Sequence, residues 1–566
     1  MSPNVSFRVG LTYFFSLVAF VVFASHQTSQ VFPWLPLGLL GASVIVLALD
    51  SSFPYRILLA VAAACGFIAY IFWFAHPSLL NMDPDKVAVA VQRVIEFGGV
   101  EGLSDYAFYS AIPAFHVFVS SVGIVLGIPG KEAAILFGIV TPMIQVLGAA
   151  TLVGRAYGER ARTYAVVIAM VSTSVLYYAM APIPQLSAVA LWMPFLILFD
   201  KYVRTRSKAH LVGMLVTVSV LIFTHKLAMV LALGTVLSAG AIHVFKTRFT
   251  RDIGVFRPYV TMSILTGFMF SLQNFWLTTF GRAILTDKLD GLFDEEVGAP
   301  DPVDASSYLA VRPLPRIPEV IVGNGDWVLI TALAGVCSLT LLRSSMRRLY
   351  RNTVLLGASV FVGMLMVAGY VAPDSSAPLR VLLFGTIPFA VVIGVALSGA
   401  AARLSGKTRH VATGVVMILV ISQLFVTGAV PDHPYEPREY LTPQEIDGKE
   451  WANEHVTDEV HADFFYAREI VDFDRPDQTY VTGPGATARG YSTIMTSYLE
   501  GTVAQEGHAY VLYRTQYDIY QTQGAWRLTW DPESELDSTD NRVFDNGGAV
   551  LYDDPSQVNA SAGAPS

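Results

Sequence analysis

Charged residues are scarce in this 566-residue chain: Asp, Glu, Lys and Arg make up only 14% of it, whereas hydrophobic residues make up 53%. A typical soluble domain is about 25% charged. Because so few charges cannot cover a water-exposed surface of this size, the composition excludes an ordinary soluble protein. It predicts an integral membrane protein, in agreement with the mean hydropathy of +0.50.

Cysteine is also nearly absent. Only Cys65 and Cys337 occur, and both lie in apolar segments. Two such residues exclude a disulfide framework and a cysteine-based zinc site. We therefore expect both to be free thiols packed among apolar side chains.

The few charges are unevenly distributed. From Asp432 onward the chain has 25 acidic and 8 basic residues, a net charge of −17, whereas the whole chain carries −8. The part before Asp432 is therefore basic, and the two parts are physically distinct. Dense surface acid is typical of proteins that face concentrated salt, as in halophilic archaea, and it disfavours nucleic acid as a partner.

Long apolar runs are what the chain has in abundance. A span needs about 20 apolar residues. We predict about thirteen spans, with residues 107–128 as an interfacial or re-entrant helix, because a full span there would place the basic loops outside. The N-terminus is then cytoplasmic and the C-terminal domain extracytoplasmic. The predicted spans lie near residues 8–24, 32–49, 54–75, 132–154, 163–181, 186–203, 209–224, 227–245, 258–280, 326–342, 353–372, 379–399 and 410–428.

This pattern predicts an all-α polytopic membrane domain over residues 1–429, with an outer loop at 76–131. A small acidic α/β domain follows over residues 430–555, and residues 556–566 are expected to be disordered. Within that domain, Thr442 and Glu445 have the spacing of a capping box. Strands are expected at 509–513, 541–544 and 549–552, the last two joined as a hairpin by the turn at 546–548.

The outer loop at 76–131 opens with an acidic motif. Asp83-Pro84-Asp85 begins a predicted helix that Gly98-Gly99 ends. Asp83 occupies the position of an N-cap. A carboxylate partly removed from water also has a raised pKa and can accept a proton from a hydroxyl group, so either acid is a candidate general base. The capping role and the base role are compatible.

Other candidate residues lie at the outer ends of spans. His225, Lys226 and Arg380 are predicted to hold a lipid phosphate, although snorkelling or salt bridges also explain such residues. Tyr109 and His116 are predicted to line an acceptor groove or to form an interfacial aromatic belt. Gln145 and Gln273, within spans, are expected to make hydrogen bonds between helices.

These features together resemble the GT-C glycosyltransferases, membrane enzymes that use polyprenyl-phosphate-linked sugars. The acidic motif opens a large first outer loop, which continues into the amphipathic stretch FYSAIPAFHVF. Arg380 starts a late span in PLRVLLFGTIPFA, and an outer domain follows an odd number of spans. The stretches YLTPQEIDGKEWANEH, HAYVLYR and NRVFDNGGAVLYDD resemble archaeal members.

The resemblance implies a mechanism and its residues. Asp83 first, and Asp85 second, would deprotonate the acceptor hydroxyl. Arg380, and more weakly His225 and Lys226, would bind the phosphate of a dolichyl-phosphate-linked sugar. The sugar, mannose being the commonest in the family, would move with inversion to a lipid- or protein-linked glycan at the outer face of the cell membrane, with membrane lipid as a further partner and no cofactor.

The sequence departs from one branch of the family in two motifs, and these departures restrict the reactions that the resemblance implies. The oligosaccharyltransferase branch of the family has a second acidic motif in the next outer loop and a WWDYG motif in its outer domain. Here the loop is Ala181-Pro182-Ile183-Pro184-Gln185, and the tail has no WWDYG. The sequence therefore disfavours transfer of a whole oligosaccharide to asparagine and a bound catalytic metal.

Two other functions are compatible with many spans. A lipid-glycan flippase or transporter would depend on charged residues within its central spans, and the sequence has few of these. A non-catalytic scaffold of a glycosylation complex would tolerate the loss of both Asp83 and Asp85. The chain has no phosphate-binding P-loop for ATP.

Overall fold

The fold is given by a computed structural model that divides into two compact units. We call residues 1–75, 93–293 and 324–428 the helical unit, and residues 76–92, 294–323 and 429–566 the mixed unit. The structure describes residues 40–43, 56–72, 78–80, 82–104, 106–154, 157–247, 256–278, 311–313, 316–343, 353–371, 377–403, 409–429, 438, 440–456, 459–471, 491–493, 508–515, 517, 519–521 and 525–554.

The described part of the helical unit is built mainly of α-helices, two of which begin in residues of the mixed unit. In chain order the helices are α1 Arg56–Tyr70, α2 Met82–Phe97, α3 Ala107–Ala111, α4 Ala114–Leu126, α5 Gly130–Val153, α6 Glu159–Met170, α7 Thr173–Met180, α8 Gln185–Thr205, α9 Lys208–Leu221, α10 Lys226–Thr247, α11 Arg257–Ser271, α12 Arg316–Leu342, α13 Thr353–Val371, α14 Ala377–Arg403 and α15 Arg409–Ala429.

The helices support a membrane protein, but they do not confirm thirteen spans. Within the described residues, five helices are long and apolar enough to cross a bilayer: α5, α8, α10, α12 and α14. Helices α6 and α7, bent by 42°, make a sixth if they form one span. The predicted span at 8–24 lies outside the described residues, as does all of 32–49 except 40–43. Some apolar helices are shorter than the predicted spans: α9 has 14 residues, whereas the span was predicted over 209–224.

The segment predicted to be interfacial contains two short helices. Helices α3 and α4 are separated by Ile112 and Pro113, and α4 has 13 residues. At 1.5 Å per residue, α4 is about 20 Å long, less than the roughly 30 Å of a hydrocarbon core. The ring of Pro113 offers no backbone N–H, which favours the interruption.

The break between α6 and α7 is lined by hydroxyl groups. Ser172 Oγ lies 2.9 Å from Thr386 Oγ1 of α14, and Ser174 Oγ lies 3.3 Å from the same atom. Thr173 Oγ1 donates a hydrogen bond to the Gln423 carbonyl of α15 at 3.1 Å. Buried polar groups need such partners where no water is available. These contacts explain how a continuous apolar run at 163–181 forms two helices rather than one.

The mixed unit contains the predicted acidic α/β fold. Its main sheet has the strand order β3-β2-β4-β8-β7, in which β2 runs parallel to β3 and β4, and β8 runs antiparallel to β4 and β7. A second sheet has the order β1-β6-β5. The elements are β1 Val311–Pro313, α16 Pro443–His455, β2 Val460–Ala462, α17 Phe464–Arg468, β3 Tyr491–Thr493, β4 Tyr510–Arg514, β5 Ile519–Gln521, β6 Ala525–Leu528, α18 Pro532–Thr539, β7 Asn541–Asp545 and β8 Ala549–Asp553.

The local predictions for this unit are confirmed. Thr442 and Glu445 form the capping box of α16: Glu445 N donates to Thr442 Oγ1 at 3.3 Å, and Thr442 N donates to Glu445 Oε2 at 2.8 Å. Strands β7 and β8 form the predicted hairpin, with Gly547 at a φ of 82° in its turn. The predicted disordered segment 556–566 lies outside the described residues.

Candidate functional site

The two acids of the DPD motif lie in the first turn of α2 but in different environments. Helix α2 begins at Met82, so Asp83 lies inside the helix rather than at the predicted N-cap. The helix ends at Phe97, and Gly98, with a φ of 67°, follows as predicted. Asp83 is exposed, whereas Asp85 is only 1% exposed. Asp83 is therefore the acid of the pair that a substrate can reach.

Asp85 is bonded inside the mixed unit. Its Oδ2 accepts a hydrogen bond from the backbone N–H of Ile470 at 2.8 Å. Its charge also acts on Lys449, which is fully buried and donates hydrogen bonds to the carbonyl oxygens of Tyr466 and Glu469. Burial lowers the pKa of Lys449 to about 7, although the charges of Glu469 and Asp85 act to raise it.

The three residues predicted to bind phosphate come together in the helical unit. His225 and Lys226 lie where α9 turns into α10, and Arg380 lies in the first turn of α14. The charges of Lys226 and Arg380 both act on His225, and the charge of Arg380 also acts on Lys226. Residues 154 positions apart in the sequence thus form one electropositive cluster, which we call the cation cluster. Basic side chains near enough for their charges to interact can together bind a phosphate group.

His225 contributes a neutral ring to the cation cluster. Burial lowers its pKa to about 3, and the charges of Lys226 and Arg380 add to the effect. Its Nδ1 accepts the backbone N–H of Leu227 at 3.2 Å, so the proton of the neutral ring lies on Nε2. His225 can therefore donate a hydrogen bond, while Lys226 and Arg380 supply charge.

Buried amide side chains hold the backbone of the cation cluster. Gln273 Nε2 donates to the Ile222 carbonyl at 2.6 Å and to the His225 carbonyl at 3.3 Å. Gln185 Nε2, at the start of α8, donates to the Arg380 carbonyl at 2.8 Å. These bonds fix the turn before α10 and the first turn of α14. Hydrogen bonds between helices, predicted for Gln145 and Gln273, are confirmed, since Gln145 Nε2 donates to the Leu383 carbonyl at 3.5 Å.

Tyr109 and His116 lie next to each other, and a residue between them in the sequence is bonded to the backbone just before the cation cluster. Their ring centroids are 4.4 Å apart. Ala114 N, at the start of α4, donates to the Phe223 carbonyl at 3.0 Å, two residues before His225. His116 is fully buried, and neither of its ring nitrogens has a hydrogen-bond partner among the described residues. His116 therefore does not line an open surface in this structure, and its role toward an acceptor stays a prediction.

A metal centre is not evident in the part of the chain that the structure describes, where no group of three or more His, Cys, Asp or Glu side chains has the geometry to hold an ion. The loop between α7 and α8 carries no carboxylate, as the sequence shows. Both cysteines are free.

Sequence reasoning missed two residues that organise these sites. Lys449 lies in a strongly polar helix, where nothing in the local pattern indicates a buried side chain. Gln185 is the first residue of α8, directly after a loop that the sequence distinguishes only by its lack of acids. The partner of Gln185 lies 195 positions away, and those of Lys449 lie 17 and 20 positions away, beyond the end of its helix, so no local pattern indicated these bonds.

Comparison with known proteins supports the fold. No protein-family model and no curated protein matches the chain. The apo oligosaccharyltransferase of Archaeoglobus fulgidus matches with a TM-score of 0.50 and 10% identity, over 83% of this chain and 71% of that one. The oligosaccharyltransferase AglB of the same organism, in complex with an inhibitory peptide and a dolichol-phosphate, has a TM-score of 0.45 and 11% identity, over 82% and 70%. ArnT from Cupriavidus metallidurans, bound to undecaprenyl phosphate, has a TM-score of 0.41 and 13% identity, over 91% and 100%. The chain thus shares the fold of the first of these structures, in agreement with the GT-C fold expected from the sequence.

Proposed function

We propose that this protein is a membrane glycosyltransferase that transfers one sugar from a dolichyl phosphate to a glycan acceptor. The cation cluster carries this proposal. Lys226, Arg380 and the neutral His225 converge from two separate helices, and their backbones are fixed by Gln185 and Gln273. Two repelling cations held in a preformed frame favour binding of an anion, because the anion relieves their repulsion.

The proposed reaction conserves atoms and charge, with Asp83 as the base and the cation cluster as the site of the leaving phosphate. The acceptor hydroxyl loses its proton to the Asp83 carboxylate while its oxygen forms a bond to the anomeric carbon of the sugar. The bond between that carbon and the phosphate oxygen breaks, and the electron pair leaves with the dolichyl phosphate. Lys226 and Arg380 neutralise the charge that develops on the leaving phosphate, and Nε2–H of His225 donates to it. Attack opposite to the leaving group inverts the anomeric centre.

The substrate follows from the resemblance in the sequence. Mannose is the proposed sugar, dolichyl phosphate its carrier, and a lipid- or protein-linked glycan of the surface-protein N-glycosylation pathway its acceptor. Transfer of a single sugar is favoured over transfer of an oligosaccharide because the loop from Ala181 to Gln185 lacks an acid. The positive-inside pattern of the sequence supports a reaction at the extracytoplasmic face of the cell membrane.

The test is transfer by purified protein from a panel of dolichyl-phosphate sugars, with Lys226→Gln and Arg380→Gln variants. Losing a hydrogen bond to a charged group weakens an interaction by about 1.5–3 kcal/mol, so we expect kcat/KM to fall about 10- to 100-fold in each variant. Lys208→Gln, an exposed lysine at the start of α9, is the matched control and is expected to behave as wild type. Wild-type kcat/KM in both cluster variants would refute the phosphate role.

One observation favours the alternative of a lipid-glycan flippase or transporter. Asp326 of α12 is 2% exposed, and helices α6 and α7 of the same unit form a pair bent by 42° at a break. Buried acids and broken helices are typical of transporters. If the protein is a flippase, vesicles containing it will move a fluorescent lipid-linked sugar between leaflets. Asp326→Asn will then stop the movement and Asp83→Asn will not.

A further inference from the structure

The two acids of the DPD motif point to opposite sides of α2. Successive residues of an α-helix are rotated by about 100°, so Asp83 and Asp85 are about 200° apart around the axis. Their exposure follows this rotation, since Asp83 contacts solvent and Asp85 is buried. The two carboxylates therefore have different surroundings and cannot exchange roles without a change of the helix itself.

Asp85 binds the segment that follows α17 in the mixed unit. Asp85 accepts a hydrogen bond from the N–H of Ile470, which lies just after α17. Lys449 donates hydrogen bonds to carbonyl oxygens at the C-terminal end of the same helix. A cation suits the C-terminal end of a helix, and an anion suits the cation beside it. The hydrogen bond of Asp85 to Ile470 connects α2 with the segment after α17, and the charge of Asp85 also acts on Lys449.

The N-terminal end of α17 is also held by hydrogen bonds. Asp463 caps it by accepting the N–H groups of Phe465 and Tyr466, both at 3.1 Å. The same carboxylate binds the buried guanidinium of Arg514 on β4 through two hydrogen bonds of 2.8 and 2.6 Å. A bidentate pair of this kind fixes orientation as well as distance. The element that Asp85 binds is therefore fixed to the main sheet.

A second bond anchors the segment before the motif. Ser78 is buried, and its Oγ accepts the N–H of Leu441 at 2.9 Å. Leu441 directly precedes the capping box of α16, so this bond attaches Ser78 to the start of that helix. Asp83 lies between Ser78 and Asp85, and both anchors belong to the mixed unit.

We propose that Asp85 is a positioning residue that holds the turn carrying Asp83 against the segment after α17, and that it is not a second base. This proposal rests on the proposed function, in which Asp83 accepts the proton of the acceptor. Lys449 and α17 then contribute to the reaction indirectly, because they hold the turn of α2 that carries the base. The C-terminal part of the chain is thereby needed for catalysis through the position of the base.

The test compares kcat, KM for the donor and the number of donor-binding sites per protein molecule in four variants of the full chain. Asp85→Asn keeps an oxygen that can accept the N–H of Ile470, whereas Asp85→Ala does not. Asp83→Asn removes the base, and Asp447→Asn, an exposed acid on the same helix as Lys449, is the control. Dolichyl phosphate, the product, is the probe that counts donor sites.

We expect Asp85→Asn to keep at least about a tenth of kcat and Asp85→Ala to lose about 10- to 100-fold, with donor sites unchanged in both. The acidic limb of the pH profile of kcat should persist in Asp85→Ala and disappear in Asp83→Asn. The proposal is overturned if Asp85→Asn is as inactive as Asp83→Asn, or if Asp85→Ala loses kcat and donor sites in equal proportion.

Hydrogen exchange separates this proposal from the proposed function. In Asp85→Ala, but not in Asp83→Asn, amides of residues 82–92 should exchange at least about tenfold faster, because the anchor is lost. Unchanged exchange in Asp85→Ala would overturn the anchoring whatever the activity. A wild-type protein that transfers no sugar would refute the proposed function, and the exchange result would still decide whether Asp85 anchors the helix.

Discussion

At the scale of single residues, burial determines chemistry in the mixed unit. Lys449 is fully buried, and burial lowers the pKa of its ammonium group to about 7 from an ordinary value of 10.5. Glu469, Asp85 and Asp463 act to raise this pKa, and Arg514 acts to lower it. Lys449 therefore titrates near neutral pH in the folded protein.

This titration predicts a pH dependence of stability. Between pH 7 and 9 the unfolded chain keeps the Lys449 proton that the folded protein has released. Unfolding then takes up a proton, so the free energy of unfolding of the mixed unit should rise with pH by up to about 1.4 kcal/mol per pH unit. Pulse proteolysis of the full chain measures this slope. In Lys449→Met the slope should be smaller by that amount, and an equal slope in both proteins would contradict the shifted pKa.

The sequence predicted the acids of the DPD motif but not their division of roles. Pro84 and the adjacent acids indicate a helix start locally, whereas the burial of Asp85 depends on Ile470 and Lys449, more than 360 positions later. The same limit applies to the cation cluster. Each of its residues was found from its place at the end of a span, but their convergence is a property of helix packing, which no local pattern shows.

At the scale of elements, the accurate predictions were those with local causes. The capping box of α16 and the β7–β8 hairpin depend on residues within a few positions of each other, and both are confirmed. The break between α6 and α7 was not predicted, because Ser172 is held by Thr386 of α14. The count of thirteen spans is not confirmed, because within the described residues five helices, or six with α6 and α7 as one span, are long and apolar enough to cross a bilayer.

Helix packing in the helical unit depends on small residues, and Gly357 gives a direct test. A Cβ at this position of α13 would lie 2.6 Å from the backbone nitrogen of Ala239 on α10. Gly357→Ala should therefore destabilise the protein in detergent by about 1–3 kcal/mol. Gly363, on the same helix with nothing within 4 Å of a built Cβ, is the control. If thermal unfolding shows equal stability for Gly357→Ala and Gly363→Ala, close packing of α10 and α13 is wrong.

At the scale of the whole molecule, charge is divided between a basic membrane part and an acidic C-terminal part. The net charge of −17 after residue 431 implies self-repulsion within the mixed unit. Salt reduces the range of this repulsion, from about 10 Å at 0.1 M to about 3 Å at 1 M. The acidic surface and the sparse basic residues were visible in the sequence, but the ion pairs that offset part of the repulsion, such as Arg542 with Asp537, required the structure.

We expect the mixed unit to become more stable as KCl rises from 0.1 to 2 M. Its rate of cleavage by a protease, measured on the full chain, should fall as salt rises. The double variant Asp447→Asn and Glu454→Gln removes two exposed acids of α16 and should show a smaller salt effect. Faster cleavage at high salt would mean that attractive ion pairs, rather than repulsion, dominate this surface.

The central claim is that the protein transfers a sugar from dolichyl phosphate with Asp83 as the base. The most direct test is transfer of label from radiolabelled dolichyl-phosphate mannose to the cell's own glycan acceptors, in membranes holding equal amounts of wild type or Asp83→Asn. We predict transfer by wild type and a loss of about 100- to 10,000-fold in the variant. Equal transfer by both proteins would contradict the role of Asp83, and no transfer by wild type from mannose or any other dolichyl-phosphate sugar would contradict the claim as a whole.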